Sequence, residues 1–455
     1  MNDIPPLISD FAPGLEIPAC APTKSTTSRW TRFPLFIWKL FLGMYACLSL
    51  VGGMLAVGWS YRLAQRFALK RWWKLARRRQ ESGTFEDFLS ADDSTRPHLR
   101  WPNWILGPQF SEQRRRMTDE RSGPYLWRLV KLTTLSLRRN FWTGLQAIFN
   151  TWVFTVPAGV LWWFAWYDGW NNSFNKGYEQ AFVGPAVSFV GIFAFIAAMY
   201  YVPMAQARQA VTGEWKSFYQ FRLIWDVIRH RWLASLGLAA LYVALGIPVL
   251  ILKTFPESWP QGHPEIESLS AREVVKMLNH YFFWCGIYIF PAFALLRVLA
   301  ARIYASAVVE GLESGWICHE SLGAFEARAL QRLDLVYPRP QPNRHRVLKI
   351  AVWAGTRLGR GVSYTLLFFI WFAFISQMYI GAFLKYDSAV GWLNQPLVQL
   401  PWFRYVPARM ENPIFQLLLA VFVAGGAGLA RSLYLKCARR NASTPQQPTP
   451  AATVA

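Results

Sequence analysis

Apolar positions along this chain gather into seven runs of 18 to 26 residues, 34–59, 141–166, 182–202, 232–252, 281–301, 362–384 and 413–430, parted by polar and basic stretches. Runs of this length match the roughly 30 Å hydrocarbon core of a bilayer at 1.5 Å per helical residue. They predict an all-α polytopic transmembrane helical bundle of seven spans, or six plus one re-entrant segment. Pro157 and Pro248 predict bends in the second and fourth spans, and Pro291 an interruption of the fifth.

A second periodicity appears between the runs. In 200–232, Phe218, Phe221, Trp225, Ile228 and Trp232 recur at spacings of three and four, while Lys216, Arg222 and Arg229 occupy other sides. Segment 214–231 is therefore expected to lie as an amphipathic helix on the bilayer surface, one face in lipid and the other among headgroups. In 61–80, Arg62, Arg66, Lys70, Lys74 and Arg78 follow each other at intervals of four, with Trp72 and Trp73 supplying apolar material. That stripe predicts contact with anionic headgroups on the cytoplasmic face; alternatively it is the projecting cytoplasmic end of a long first span, its arginines snorkelling. A third amphipathic helix is expected over 321–337, with Leu322, Phe325, Ala329, Leu333 and Val336 on one side.

Composition agrees with the membrane class. Apolar residues make up 53% of 455, with 24 Trp and 33 Phe, and the formal charge is +22. Such a charge fits nucleic acid or anionic lipid, and its alternation with apolar runs favours lipid. With the amino end outside, inner segments hold 37 of the 48 basic residues, an asymmetry that places those segments and the carboxyl end in the cytoplasm. If 34–59 only dips into the membrane, both ends lie inside and no other loop changes side. The expected layout is a disordered tail over 1–33, the first span at 34–59, and a basic cytoplasmic segment over 60–140 that includes a helix over 125–139. Spans two to five follow over 141–301, then a cytoplasmic segment over 302–361, spans six and seven over 362–435 and a disordered tail over 436–455.

Signals for chemistry are few. The five cysteines stand singly, and the six histidines form no HxxxH or HExxH pair. Cys318, His319 and Glu320 are consecutive, so their side chains diverge and make no metal site. No nucleotide-binding or nucleophile-elbow motif occurs, so no cofactor and no catalytic residue is expected. The sequon at Asn171 to Ser173 matters only in a eukaryotic secretory pathway. No Asp or Glu falls within the seven runs, which argues against an ion-driven carrier. Asn150, Thr151, Thr155 and Gln377 do lie within them, where interhelical hydrogen bonding explains them. Asn150, Pro157, Pro248, Pro291 and Arg297 are the candidates for a transport cavity between bent helices, Arg297 acting as a counter-charge or else snorkelling to the interface.

The run PMAQARQAVTGEWKSFYQFRLIWDVIRHRW, with Pro203 near the end of one span, a turn at Thr212 and Gly213, and Tyr219 to Arg222 before the next span, resembles bacterial membrane proteins catalogued as domain of unknown function 4013. The likeness covers about 200–252. It implies a bacterial multi-pass protein without an established activity and assigns no catalytic residue. The expected role is a non-enzymatic component that organises lipid or partner proteins, the alternative a permease or flippase-like transporter of an uncharged or anionic substrate.

Overall fold

The computed structural model describes residues 29–46, 50–76, 85–90, 125–174, 183–258, 268–335 and 346–384. Among these residues every regular element is helical. The seventh expected span, Arg78, Gln377's side chain, Val336 and the carboxyl-terminal tail lie outside what is described.

Among the described residues five helices are long and apolar enough to cross a membrane. They are α4 (Tyr125–Phe174), α5 (Val183–Thr212), α7 (Trp232–Thr254), α8 (Ala271–Ser314) and α10 (Arg346–Leu384). They contain the second to sixth expected spans, and several overrun them. The expected helix over 125–139 and the second span are one 50-residue helix, because no Gly or Pro stands between Tyr125 and Trp142. Nor does Asn140 cap a new helix there, since its side-chain oxygen accepts a hydrogen bond from Arg62 at 2.9 Å. Pro291 does not interrupt the fifth span; α8 continues through it for 44 residues, as packed membrane helices allow.

The first expected span is not one helix. α1 (Arg29–Ala46) and α2 (Leu50–Leu75) replace it, and α1 begins inside the stretch expected as a tail. A Cβ on Gly43 would touch the Phe290 ring, and Trp59 stacks on that same ring with centroids 5.2 Å apart. In a continuous helix positions 43 and 59 would stand about 24 Å apart. The chain therefore reverses between α1 and α2, and the pair packs on α8 as a helical hairpin.

α5 is the axis of the bundle. Every residue from Tyr201 to Thr212 is buried, and α5 packs on α2, α4, α8 and α10. α2 and α4 meet backbone to backbone, since a Cβ on Gly58 would lie 1.8 Å from the Asn140 carbonyl oxygen and one on Gly144 1.9 Å from that of Met54. No larger side chain fits at either crossing, the usual means of close approach between apolar helices.

α5 ends where Gly213 takes a φ of 68°, a conformation that favours glycine. A 3₁₀ turn (Trp215–Tyr219) and α6 (Phe221–His230) follow. Leu223, Ile224, Val227 and Ile228 of α6 are buried in the protein core, as is Phe218. Phe218 and Ile228 therefore do not enter lipid as their spacing suggested: the ridge bearing Leu223 and Val227 turns that side of α6 inward. The third expected amphipathic helix is the shorter α9 (Ala324–Arg332), with Phe325, Ala329 and Leu333 buried as expected. A short α3 (Phe85–Ser90) packs Phe85 against Trp73.

Candidate functional site

The carboxyl-terminal half of α5 carries Gln206, Arg208, Gln209 and Thr212 into a fully buried position. Polar groups so placed must find partners within the protein, and Arg208 finds four. Its Nε donates to Gln220 Oε1 at 2.6 Å and one terminal nitrogen to the Ser321 carbonyl at 2.9 Å. The other terminal nitrogen donates to the Tyr304 hydroxyl and, at 3.3 Å, to Glu326 Oε2. Tyr304 in turn donates to Glu326 Oε1 at 2.7 Å, and the Gly323 amide donates to Glu326 Oε2 at 3.0 Å, capping α9. One guanidinium thus ties α5 to α8, α9 and the turn that leads into α6. Arg208 and Glu326 are both 0% exposed, so this carboxylate and this phenol meet each other and no substrate.

A second set of polar contacts joins α4 to α5. Asn150 donates to Gln209 Oε1 at 3.2 Å and to the Trp215 carbonyl at 2.9 Å, and accepts from the Tyr219 hydroxyl at 3.1 Å. Burial pushes the Tyr219 phenol above its ordinary pKa, which keeps it the donor. Gln206 donates to Thr151 Oγ1 at 2.9 Å, while Thr151 and Thr155 donate to carbonyls one turn back in α4. Thr212 and Ser217 share a hydrogen bond of 2.6 Å across the end of α5. Asn150 is therefore an interhelical fastener.

Arg297 lies deeper, 5% exposed, with its guanidinium 4.4 Å from the Phe293 ring centroid and 5.0 Å from that of Tyr61. It donates to Gln206 Oε1 at 3.4 Å. It neither snorkels nor opens on a solvent-filled space: beside it is an internal gap of about 10 Å³, the size of one water molecule. Among the described residues the five expected members of a transport cavity do not line one space. Of its expected members only Arg297 lines this gap; Asn150 is engaged elsewhere, Pro157 is exposed, and Pro248 and Pro291 are half-buried away from it.

The expected lipid-contact residues divide. On α2, Trp72 is 0% exposed and donates from its indole to the Ala305 carbonyl at 2.9 Å. Trp73 and Arg62 are also buried, at 9% and 7%. These three cannot meet headgroups, because α2 packs that side against α4, α5 and α8. Lys70 and Lys74 are exposed, and Arg66 is half-buried over the Phe85 ring. Burial first, and Arg139 second, lower the Arg62 pKa to about 10, which leaves it charged at neutral pH. Around α6, Lys216, Arg222, Trp225 and Arg229 are all exposed, Trp225 to 48%.

Glu326, Tyr304 and Arg208 were not singled out by the sequence. The available signal was the Gly323 to Glu326 spacing, a helix-start pattern whose carboxylate sits beside the apolar stripe of α9. Among the described residues no group of three or more His, Cys, Asp or Glu could hold a metal ion. No family model, curated protein or solved structure matches the chain.

Proposed function

We propose that this chain is a non-enzymatic, multi-pass component of a bacterial cytoplasmic membrane that organises anionic lipid or partner proteins at the cytoplasmic face. The carrying observation is the contrast between interior and surface. Arg208, Tyr304 and Glu326, and likewise Asn150 with Gln209 and Thr151 with Gln206, are joined to one another inside the bundle, and the gap beside Arg297 admits one water-sized guest, too little for a transported solute. The surface around α6 instead presents Trp225 between Arg222 and Arg229. Cations of that kind attract anionic headgroups by about 1 kcal/mol each, and tryptophan favours the same interfacial depth. The excess of basic residues in the segments taken as inner supports the orientation.

The test is purification of the full chain in mild detergent, followed by native mass spectrometry and reconstitution. Stoichiometric protein partners, or retained anionic lipid lost on charge reversal at Arg222 and Arg229, would support the reading. A monomer that retains neither and moves solute across vesicle membranes would overturn it.

A further inference from the structure

We propose that Arg71, Arg231 and Arg302 hold the phosphate of one anionic phospholipid of the cytoplasmic leaflet beside Ser306 of α8. Arg71 of α2 donates from Nε to Ser306 Oγ at 2.8 Å, and Arg231, in the junction between α6 and α7, donates to the Ser306 carbonyl at 3.4 Å. Arg302 is exposed and stands one turn before Ser306 on the same face of α8. Three guanidiniums are thus carried within reach of one half-buried serine. Like charges so placed call for an anion among them, and the protein supplies little negative charge. Glu310 pairs with Arg231. Among the described residues no ion pair reaches Arg71 or Arg302, no hydrogen bond occupies the terminal nitrogens of Arg71, and Nε of Arg231 is buried without a partner.

The stripe that leads to the arginines says what carries the phosphate. Leu295, Leu299, Arg302 and Ser306 lie within about 60° of one another around α8. Leu295 is 45% exposed and Leu299 half-buried. From Leu295 to Ser306 the helix rises about 16 Å, close to the hydrocarbon depth of one leaflet. An acyl chain laid on the leucines therefore brings its headgroup to the arginines. A free phosphate would use the arginines and leave the leucines idle, so the apolar half of the stripe favours a lipid. Guanidinium presents paired donors that match phosphate oxygens, whereas a choline headgroup would bring its ammonium among three cations. The site rests on the orientation proposed above, with this end of α8 in the cytoplasmic leaflet. It differs from the surface of α6 in holding one lipid by geometry rather than many by charge.

The experiment is native mass spectrometry of the full purified chain, delipidated in detergent and titrated with phosphatidylglycerol or with phosphatidylcholine of the same acyl chains. One phosphatidylglycerol should bind about tenfold more tightly than phosphatidylcholine, and millimolar inorganic phosphate should not displace it. Arg302→Gln and Arg71→Gln should each weaken phosphatidylglycerol about tenfold and leave phosphatidylcholine unchanged. If Arg71→Gln does not fold, Arg302→Gln still decides, because its side chain is exposed. Arg328→Gln, which removes an exposed arginine from α9, is the control and should change neither lipid. Equal affinity for the two lipids, unchanged phosphatidylglycerol binding in Arg302→Gln, or release of the lipid by inorganic phosphate would each overturn the proposal. Lipid retention through Arg222 and Arg229 is measured on other variants, so this site and the proposed function fail separately.

Discussion

Helices α2 and α6 carry a related signal, cations at helical spacing (every four residues in α2, seven apart in α6) with tryptophan among them, and the protein uses them differently. Trp72 is two positions from both Lys70 and Lys74, about 200° around the helix. The two lysines therefore face out while the indole enters the core against Ala305. Trp225 follows Arg222 by three positions and precedes Arg229 by four, within about 60° of each. It shares their exposed face, while Leu223, Ile224, Val227 and Ile228 turn inward. Trp72, opposite the exposed lysines, belongs to the core and Trp225, beside its arginines, to the surface. Trp73, although only about 60° from Lys70, is covered by Phe85 of α3 and is buried as well.

The sharpest way to break this contrast is to remove the two indoles separately. Trp72→Ala should cost about 3 to 5 kcal/mol, as for other buried aromatics, and lower the unfolding midpoint accordingly. Trp225→Ala should change stability by no more than about 0.5 kcal/mol yet reduce flotation with vesicles rich in anionic lipid. Equal losses of stability from both would end the distinction.

A comparably large effect is expected at the Arg208 clamp, which holds α6 through Gln220. Glu326→Ala leaves a buried guanidinium without its carboxylate, at a cost of about 3 to 5 kcal/mol. Hydrogen exchange should then quicken most in α6 and α9, and less in α2, which has its own ties to α8 through Trp72 and through Arg71 to Ser306 at 2.8 Å. Uniform quickening across the bundle would mean that α6 is held by its apolar face alone.

Charge reversal gives a smaller effect. Arg222→Glu with Arg229→Glu should weaken binding to anionic vesicles by about 1 kcal/mol for each cation lost, and the deficit should shrink in high salt. Lys70→Glu with Lys74→Glu tests whether the exposed row of α2 contributes as well. A loss equal to that of the α6 pair would show that α2 presents its cations to lipid while burying its tryptophans.

The second to sixth spans were legible because long apolar runs have few other uses. Their ends were not, because hydropathy marks where a helix leaves lipid and not where it stops; α4 continues as a helix through Arg138 and Arg139. The reversal between α1 and α2 was hidden for a related reason. Two apolar helices in sequence look like one long run, and only the shared contact with Phe290 separates them. The sequence offered both a single crossing and a segment that dips and returns, and neither reading placed a break at 47–49 between two helices. At the candidate site Asn150 and Arg297 were legible as polar groups inside apolar runs. Glu326 was not, because it stands in a polar segment 118 positions from Arg208, and periodicity within one helix cannot report such a pairing.

The smallest expected effect concerns the junction between the two behaviours, where Tyr219 anchors the turn before α6 to Asn150 of α4. Its hydroxyl donates at 3.1 Å, so Tyr219→Phe should cost about 1 kcal/mol with little change in vesicle binding. The pH dependence has a definite sign. Burial raises the folded-state pKa above the unfolded value near 10, so the folded protein holds this proton more tightly than the unfolded chain does. That contribution is complete below about pH 10 and is lost as pH rises through the folded value. Unfolding midpoints of the two proteins should therefore converge as pH rises through that range. A constant difference across it would mean that Tyr219 does not titrate with unfolding, and that its hydrogen bond rather than its buried phenol sets the cost of the substitution.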